Sequence, residues 1–288
     1  SPDVAPPEIP AAERTAYEEW YRTAVRCQKQ DGYLAIEVRV PRGDLTPEQF
    51  RGLARIMRTY GNGRARTTQW QNIVLRWIPE GHAYRVWKEA SELGLGDSGQ
   101  HEIRDIVSCP GTDSCKLGIT SSMGLNSAIA ERLQTLDLAD ERTRSTLINV
   151  SGCPNSCGMH HLGNIGFHGA AIKAANDPDR QVPSYNVFVG GDRRDGSRLR
   201  FGRILKVKIP SKRAPDVVER FLALYRRERR DGEEFNDTLD RLGPKAFEDE
   251  IRDLSVAPEF SEDAVEEFMD WERTALYVLE RGEGECAV

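Results

Sequence analysis

Long hydrophobic runs are missing from this 288-residue sequence; its apolar stretches last only a few residues, as at positions 33–36. A helix that crosses a membrane needs about 20 consecutive apolar residues, so neither a membrane span nor a membrane partner is expected. The opening residues, SPDVAPPEIPAAE, have neither the basic start nor the apolar core of a secretory signal, and no initiating Met precedes them. The expectation is a cytoplasmic chain whose start has been processed or that was cut from a longer sequence for expression. Short-period repeats are absent, and the Pro-rich start is the one low-complexity stretch. No zinc finger, basic zipper or interleaved aromatic-basic motif is present, so nucleic acid is not expected as a partner. Cysteine is scarce, with six residues. Without a secretory signal these argue against a disulfide scaffold.

What is present is ordinary for a globular protein: 39% hydrophobic and 30% charged residues. The length suits about two domains with a real core. Charge is unevenly spread. Residues 231–288 carry 19 acidic and 5 basic side chains, whereas residues 1–230 carry 27 acidic and 35 basic ones. A basic body with an acidic tail suits anionic ligands or an acidic protein partner.

The Pro-rich residues 1–10 read as an extended arm. Helical spacing of Ala16, Trp20, Ala24 and Cys27 predicts a helix over 11–28. Alternation of Leu34, Ile36, Val38 and Val40 predicts a strand over 32–40. A helix follows over 44–60, with Thr46 as N-cap and Pro47 in the first turn. Strands over 64–68 and 72–78 and a helix over 79–93 complete a small split α+β sandwich. Further on, strands are expected at 102–108, 146–150, 165–167, 185–189 and 199–209, and helices at 126–136 and 213–230. The acidic tail is expected to form helices at 244–254 and 262–280. It should fold back on basic surface or pack on a partner, away from the chemistry.

Four cysteines form two tight pairs, each placed where a predicted buried strand ends: Cys109 with Cys115 in SCPGTDSCKLG, and Cys153 with Cys157 in SGCPNSCGMHH. Such strand ends favour binding sites. Cys27 and Cys286 stand alone and read as bystanders. Four thiolates suit zinc or an iron–sulfur cluster. Zinc knuckles space each pair by two to four residues, and the five-residue gap after Cys109 is wide for one. It can wrap a larger cluster. Gly and Pro at both pairs force tight turns, which aim backbone N–H groups at sulfur.

The two segments resemble the cluster-binding motifs of the siroheme-dependent nitrite and sulfite reductases. The pattern is Cys-x5-Cys, then Cys-Pro-Asn-x-Cys-Gly, standing here at Cys109, Cys115, Cys153, Pro154, Asn155, Cys157 and Gly158. The flanks TSSMGL and IGFHGAA fit it too. The stretch RARTTQWQNIVLRWI, residues 64–78, resembles the family's ferredoxin-like half-domain. The resemblance covers roughly residues 30–230. It implies an α+β fold: an N-terminal arm and helix (1–29), a ferredoxin-like subdomain (30–98), an α/β siroheme and iron–sulfur cluster domain (99–230), and an acidic helical tail (231–288).

The family's chemistry implies that Cys109, Cys115, Cys153 and Cys157 hold a 4Fe–4S cluster and that Cys157 also ligates the siroheme iron. The implied reaction is the six-electron reduction of nitrite to ammonia or sulfite to sulfide, with electrons from a ferredoxin-like donor. Siroheme carries eight carboxylates, for which Arg64, Arg66, Lys116 and Lys173 are candidate cations. Gln71 and Asn72 either bond a propionate or brace the sheet edge. Asn155 would lie close to the haem, and His160 and His161 are candidate proton donors, or else surface residues or supports for the groups around the metal. Nitrite-reducing members tend to carry Ser or Thr at the place of Ser156, which leans the substrate toward nitrite. There a hydroxyl can donate to the bridging sulfur. Family enzymes are about twice this length, in two related halves. The chain therefore resembles the second, cysteine-bearing half: a fragment, a subunit paired with a separate first half, or a homodimer. The rival reading is an iron–sulfur electron-transfer or scaffold subunit without siroheme.

Overall fold

Along Tyr33–Val38 (β2), Leu34, Ile36 and Val38 are buried and the residues between them are not, as alternation requires of a strand with one face on a core. The computed structural model describes residues 3–194 and 199–279. They divide into two units, residues 1–105 and 106–288.

In the first unit the sheet order is β1 (Val25–Cys27), β2, β4 (Ile73–Pro79), β3 (Ala65–Thr67), with antiparallel pairing throughout. Three helices accompany it: α1 (Ala11–Ala24), α2 (Pro47–Tyr60) and α3 (Ala83–Glu92). Thr46 and Gln49 close a capping box at the start of α2, with Pro47 just inside. Trp20, Leu34, Ile36, Ile56, Leu75, Ile78 and Val86 form the core.

Two expectations change here. The first helix stops at Ala24, and Val25–Cys27 pairs with β2, so Cys27 sits exposed on an edge strand rather than on a helix face. β-branched Val25 favours the extended conformation it adopts at the helix end. The strand expected over 102–108 shrinks to Val107–Ser108 (β5). His101 at φ 61°, with its N–H donating to the Asp105 carboxylate at 2.8 Å, turns the chain instead.

The second unit holds a five-stranded sheet in the order β5, β6 (Ile148–Ser151), β7 (Ile165–Lys173), β8 (Gln181–Val189), β9 (Arg203–Pro210). The first three strands are parallel and the last two pairings antiparallel. α4 (Ser122–Gln134) packs on β5, β6 and α6 (Ala214–Glu228), with the short α5 (Glu141–Arg144) leading into β6. Along β9, buried Leu205, Val207 and Ile209 alternate with exposed Ile204, Lys206 and Lys208.

The acidic tail folds back on this unit. It forms α7 (Phe235–Leu242) and α8 (Pro244–Glu250), shorter than the helix expected over 244–254. The helix expected over 262–280 is overturned: its described part holds only a four-residue 3-10 turn, Val265–Phe268. Acidic side chains there engage the body instead: Glu267 pairs with Arg213 at 3.0 Å, and buried Asp270 accepts from Ser121 and Ser211. Cys286 lies outside the described residues.

Candidate metal centre

Parallel neighbours β5 and β6 end side by side; Cys109 follows β5 at once, and Cys153 follows β6 after Gly152. The Cys109 N–H donates to Val150 O at 3.2 Å. Gly152 N–H then donates to Cys109 Sγ at 3.1 Å. Gly152 O accepts from both Ile119 and Thr120, at 2.8 and 3.1 Å, which stitches the two cysteine loops together. Cys115 follows a 3-10 turn over Gly111–Asp113 and donates its N–H to Gly111 O at 3.0 Å. Cys157 ends a turn in which Ser156 stands at φ 62°.

Glycines make this convergence possible. A Cβ at Gly152 would stand 2.6 Å from Gly111 Cα and 2.7 Å from Thr120 O. One at Gly158 would collide with Val150 O. Cys109 and Cys153 are buried, whereas Cys115 and Cys157 are exposed. The centre thus has two inner and two outer thiols. Burial pushes the Cys153 thiol up, and the neighbouring thiols of Cys109, Cys157 and Cys115 add to it. A cation held among the four would remove that repulsion and favour thiolate.

Three histidines gather just past Cys157. His160 is fully buried, with Nδ1 2.9 Å from Ser151 Oγ. Its Nε2 has no partner. Burial, then His161 and His168, hold its pKa down at about 3, so it is a neutral imidazole at neutral pH. The His161 ring stacks 4.0 Å from His160 and places Nδ1 2.8 Å from Ser156 Oγ. The Ser156 hydroxyl thus bonds to imidazole, a partner that the expected bond to the bridging sulfur left out. His168 and Asn186 (3.4 Å apart) join this cluster and were not singled out from sequence. Their signal was the alternation within GFHGA, which puts His168 on one face of β7.

The other candidates are scattered. Asn155 is exposed at the tip of the Cys153–Cys157 turn, and Lys116 is exposed beside Cys115. Lys173 lies on β7 four residues past Gly169, about 13 Å at strand rise. Gly169 is the residue that abuts Gly152. In the first unit, Arg64 and Arg66 are exposed at the edge strand β3 and Gln71 stands at φ 69°. Asn72 is only 1% exposed, and its amide is spent inside the unit. Oδ1 accepts from Val40 N at 3.0 Å, while Nδ2 donates to Glu37 at 2.9 Å and to Asp105 at 3.0 Å. Of its two expected roles, these bonds suit the brace.

Two family models match the chain. Residues 26–93 match the nitrite/sulfite reductase ferredoxin-like half domain, and residues 99–257 match the nitrite and sulphite reductase 4Fe-4S domain. Ferredoxin–nitrite reductase of Synechococcus elongatus is 31% identical over 219 residues, covering 76% of this chain and 41% of that protein. The chloroplastic enzyme of Spinacia oleracea is 30% identical, over 75% of this chain and 36% of its own. Sulfite reductase [ferredoxin] 1 of Mycolicibacterium paratuberculosis is 26% identical, over 72% and 37% respectively. Among solved structures, the Mycobacterium tuberculosis NirA protein superposes with TM-score 0.67 at 26% identity, covering 78% of this chain and 41% of that one. Dissimilatory sulfite reductase I shares the fold, with TM-score 0.58 at 13% identity over 84% of this chain and 76% of that one. The chain spans about two fifths of the curated relatives it matches. With a matching cysteine-bearing domain over more than half its length, it belongs to the nitrite and sulphite reductase family.

Proposed function

We propose that this chain is the cofactor-bearing half of a ferredoxin-dependent nitrite or sulfite reductase. The observation that carries the reading is the approach of four thiols in two loops that leave neighbouring strands, inside turns whose glycines leave no room for a side chain. The family implies a 4Fe–4S cluster and siroheme, and the residues present fit both. Four soft ligands suit the cluster, and backbone N–H groups already point at sulfur. Cys157 is exposed, so its sulfur can serve a second metal on the outer side. When bound, siroheme supplies an iron at which the anion is reduced, electronically joined to the cluster.

The chain's own residues then do the following. Cys109 and Cys153 hold the inner side of the centre away from water, and Cys115 and Cys157 hold the outer side. Asn155 sits at the exposed tip beside Cys157. His161 is partly exposed, with Nδ1 taken by Ser156, and Nε2 is left to pass a proton. We assign proton delivery to His161 and a packing role to the neutral His160. On the second unit, exposed Lys116 beside Cys115 suits an anionic carboxylate of siroheme; on the first unit, Arg64 and Arg66 are exposed cations and Gln71 a polar neighbour in sequence, candidates by their chemistry alone. Lys173 and Asn72 are left out of that set.

A half of this kind needs a partner, either a first half or a second copy of itself. Leu199, Phe201 and Ile204 support this: they are 59%, 76% and 53% exposed near the histidine cluster. The five described cysteines carry no disulfide, which suits a reducing compartment such as the cytoplasm. Among the described residues no helix is long and apolar enough to cross a membrane.

The test is the absorption spectrum of the purified chain, followed by assay of both anions with a reduced one-electron donor after its partner is supplied. Red-region siroheme bands together with iron and sulfide support the reading, and turnover favouring nitrite supports the lean from Ser156. Iron and sulfide without those bands would leave the electron-transfer or scaffold subunit.

A further inference from the structure

Residues 258–279 lie beyond the stretch matched by the cluster-domain family, yet they return to the loop that carries Cys115. Asp270 is 3% exposed. One of its carboxylate oxygens accepts from Ser121 N at 2.6 Å. The other accepts from Ser211 Oγ at 3.0 Å and Trp271 N at 2.9 Å. Arg273 pairs with Asp113 at 2.7 Å and donates to Thr112 O at 3.3 Å. Tyr277 donates its hydroxyl to Ile119 O at 2.8 Å. The Trp271 side chain fills the space beside Gly124, where an added Cβ would come within 2.5 Å of it. Three backbone groups of residues 112–121 are thus satisfied by side chains more than 140 positions away. Between strap and loop lies a cavity of about 310 Å³, lined by Cys115, Lys116, Arg273 and Tyr277.

The four cysteines are not anchored alike. Cys109 and Cys153 follow strand ends, and Cys157 precedes Gly158, whose N–H donates to Ser151 Oγ on β6 at 3.1 Å. Cys115 follows no strand. Its own backbone bonds run within the loop, to Gly111 and Gly118. The loop's outer side depends on the strap.

We propose that Asp270, Arg273 and Tyr277 are positioning residues for Cys115, so that the C-terminal strap retains the iron at one corner of the cluster. This rests on the cluster reading above. It makes a site-selective prediction, because a cluster with one loosened ligand loses one metal rather than all. A one-electron oxidant such as ferricyanide removes one electron, one iron leaves as Fe²⁺, and a three-iron cluster remains with the Cys115 thiolate freed.

The experiment loads the 288-residue chain with iron and sulfide and follows the three-iron species by electron paramagnetic resonance after ferricyanide is added. Asp270→Ala and the milder Tyr277→Phe should both load four irons and convert about tenfold faster than the parent, the worth of one hydrogen bond to a buried polar or charged group. Arg252→Ala, which breaks tail ion pairs away from the loop, should convert at the parental rate. Parental rates in both strap variants would overturn the proposal while leaving the cluster reading intact. So would loss of all four irons in step with thermal unfolding, since the strap would then only stabilise the fold. A parent chain that takes up no iron would overturn both.

Discussion

Replacing Gly152 with Ala adds one methyl group to the turn between β6 and Cys153, and the surroundings cannot take it. The new carbon would stand 2.6 Å from Gly111 Cα and 2.7 Å from Thr120 O, both main-chain atoms. Ordinary carbon contacts begin near 3.5 Å, so the two loops must part by about 1 Å. Gly152 also donates to Cys109 Sγ and accepts from Ile119 and Thr120, so that shift moves three of the four cysteine anchors at once. Overpacking of this kind costs about 1–3 kcal/mol. Metal–ligand distances tolerate only about 0.2 Å, so the cost falls on the loaded state. Cluster affinity should drop about tenfold or more. Gly232→Ala is the matched control. Gly232 stands at φ 83° with nothing within 4 Å, so Ala there costs about 1–2 kcal/mol of backbone strain and touches no cysteine. The assay is iron and sulfide per chain against thermal stability for both variants. Parental loading in Gly152→Ala, or equal iron loss in the two variants, would refute the reasoning.

Serine at Cys109, Cys115 or Cys153 should abolish four-iron loading, whereas Cys27→Ser on the edge strand β1 should leave iron and sulfide unchanged; metal analysis decides. Burial lowers the pKa of His160 to about 3 and that of His168 below its usual value, so the unfolded chain binds protons that the folded chain does not. Stability should therefore rise with pH from about 3 to 6.5 and be lost on acidification, by up to about 1.4 kcal/mol per unit for each group. Melting temperatures of the metal-free chain between pH 7 and 5 should fall more steeply in the parent than in His160→Gln, and parallel curves would refute the assignment. Asn72→Leu removes bonds to Val40, Glu37 and Asp105 and should cost about 2–4 kcal/mol, with iron loading unaffected because the four cysteines proposed as ligands lie in the other unit.

The parts of the fold set by local rules were legible. Thr46, Pro47 and Gln49 announce α2, and the alternation at Leu34, Ile36 and Val38 announces β2, because caps and faces are written within a few residues. The cysteine pattern proposed as the ligand set was legible for the same reason: a turn tight enough to aim a thiol needs Gly and Pro beside the Cys. The tail was not legible. Its spacing allows a helix, but the Asp270 carboxylate is claimed by Ser121 and the Tyr277 hydroxyl by Ile119, partners that no local pattern reveals. Asn72 and His160 show the same limit of local reading. Both are polar residues beside a motif, which reads as function, and both are buried by contacts made far along the chain. Polarity in a sequence says that a side chain needs partners and leaves their identity to the tertiary fold.

Strand register shows how the histidines and the cysteine turn became one structure. Ser151, His168, Asn186 and Lys208 stand opposite one another across β6, β7, β8 and β9, so they share one face of the sheet. Val150, Phe167, Val187 and Val207 belong to the other face and are buried. One face therefore supplies the core, and the other carries a polar row that runs from the interior at Ser151 to the surface at Lys208. Ser151 is the hinge of that arrangement. Its hydroxyl oxygen accepts from Gly158 N–H at 3.1 Å and lies 2.9 Å from His160 Nδ1. The turn that positions Cys157 is thereby tied to the orientation of a buried imidazole, which in turn packs against His161, His168 and Phe188. A chain of contacts thus runs from Asn186 through His168, His160 and Ser151 to the Gly158 N–H next to Cys157.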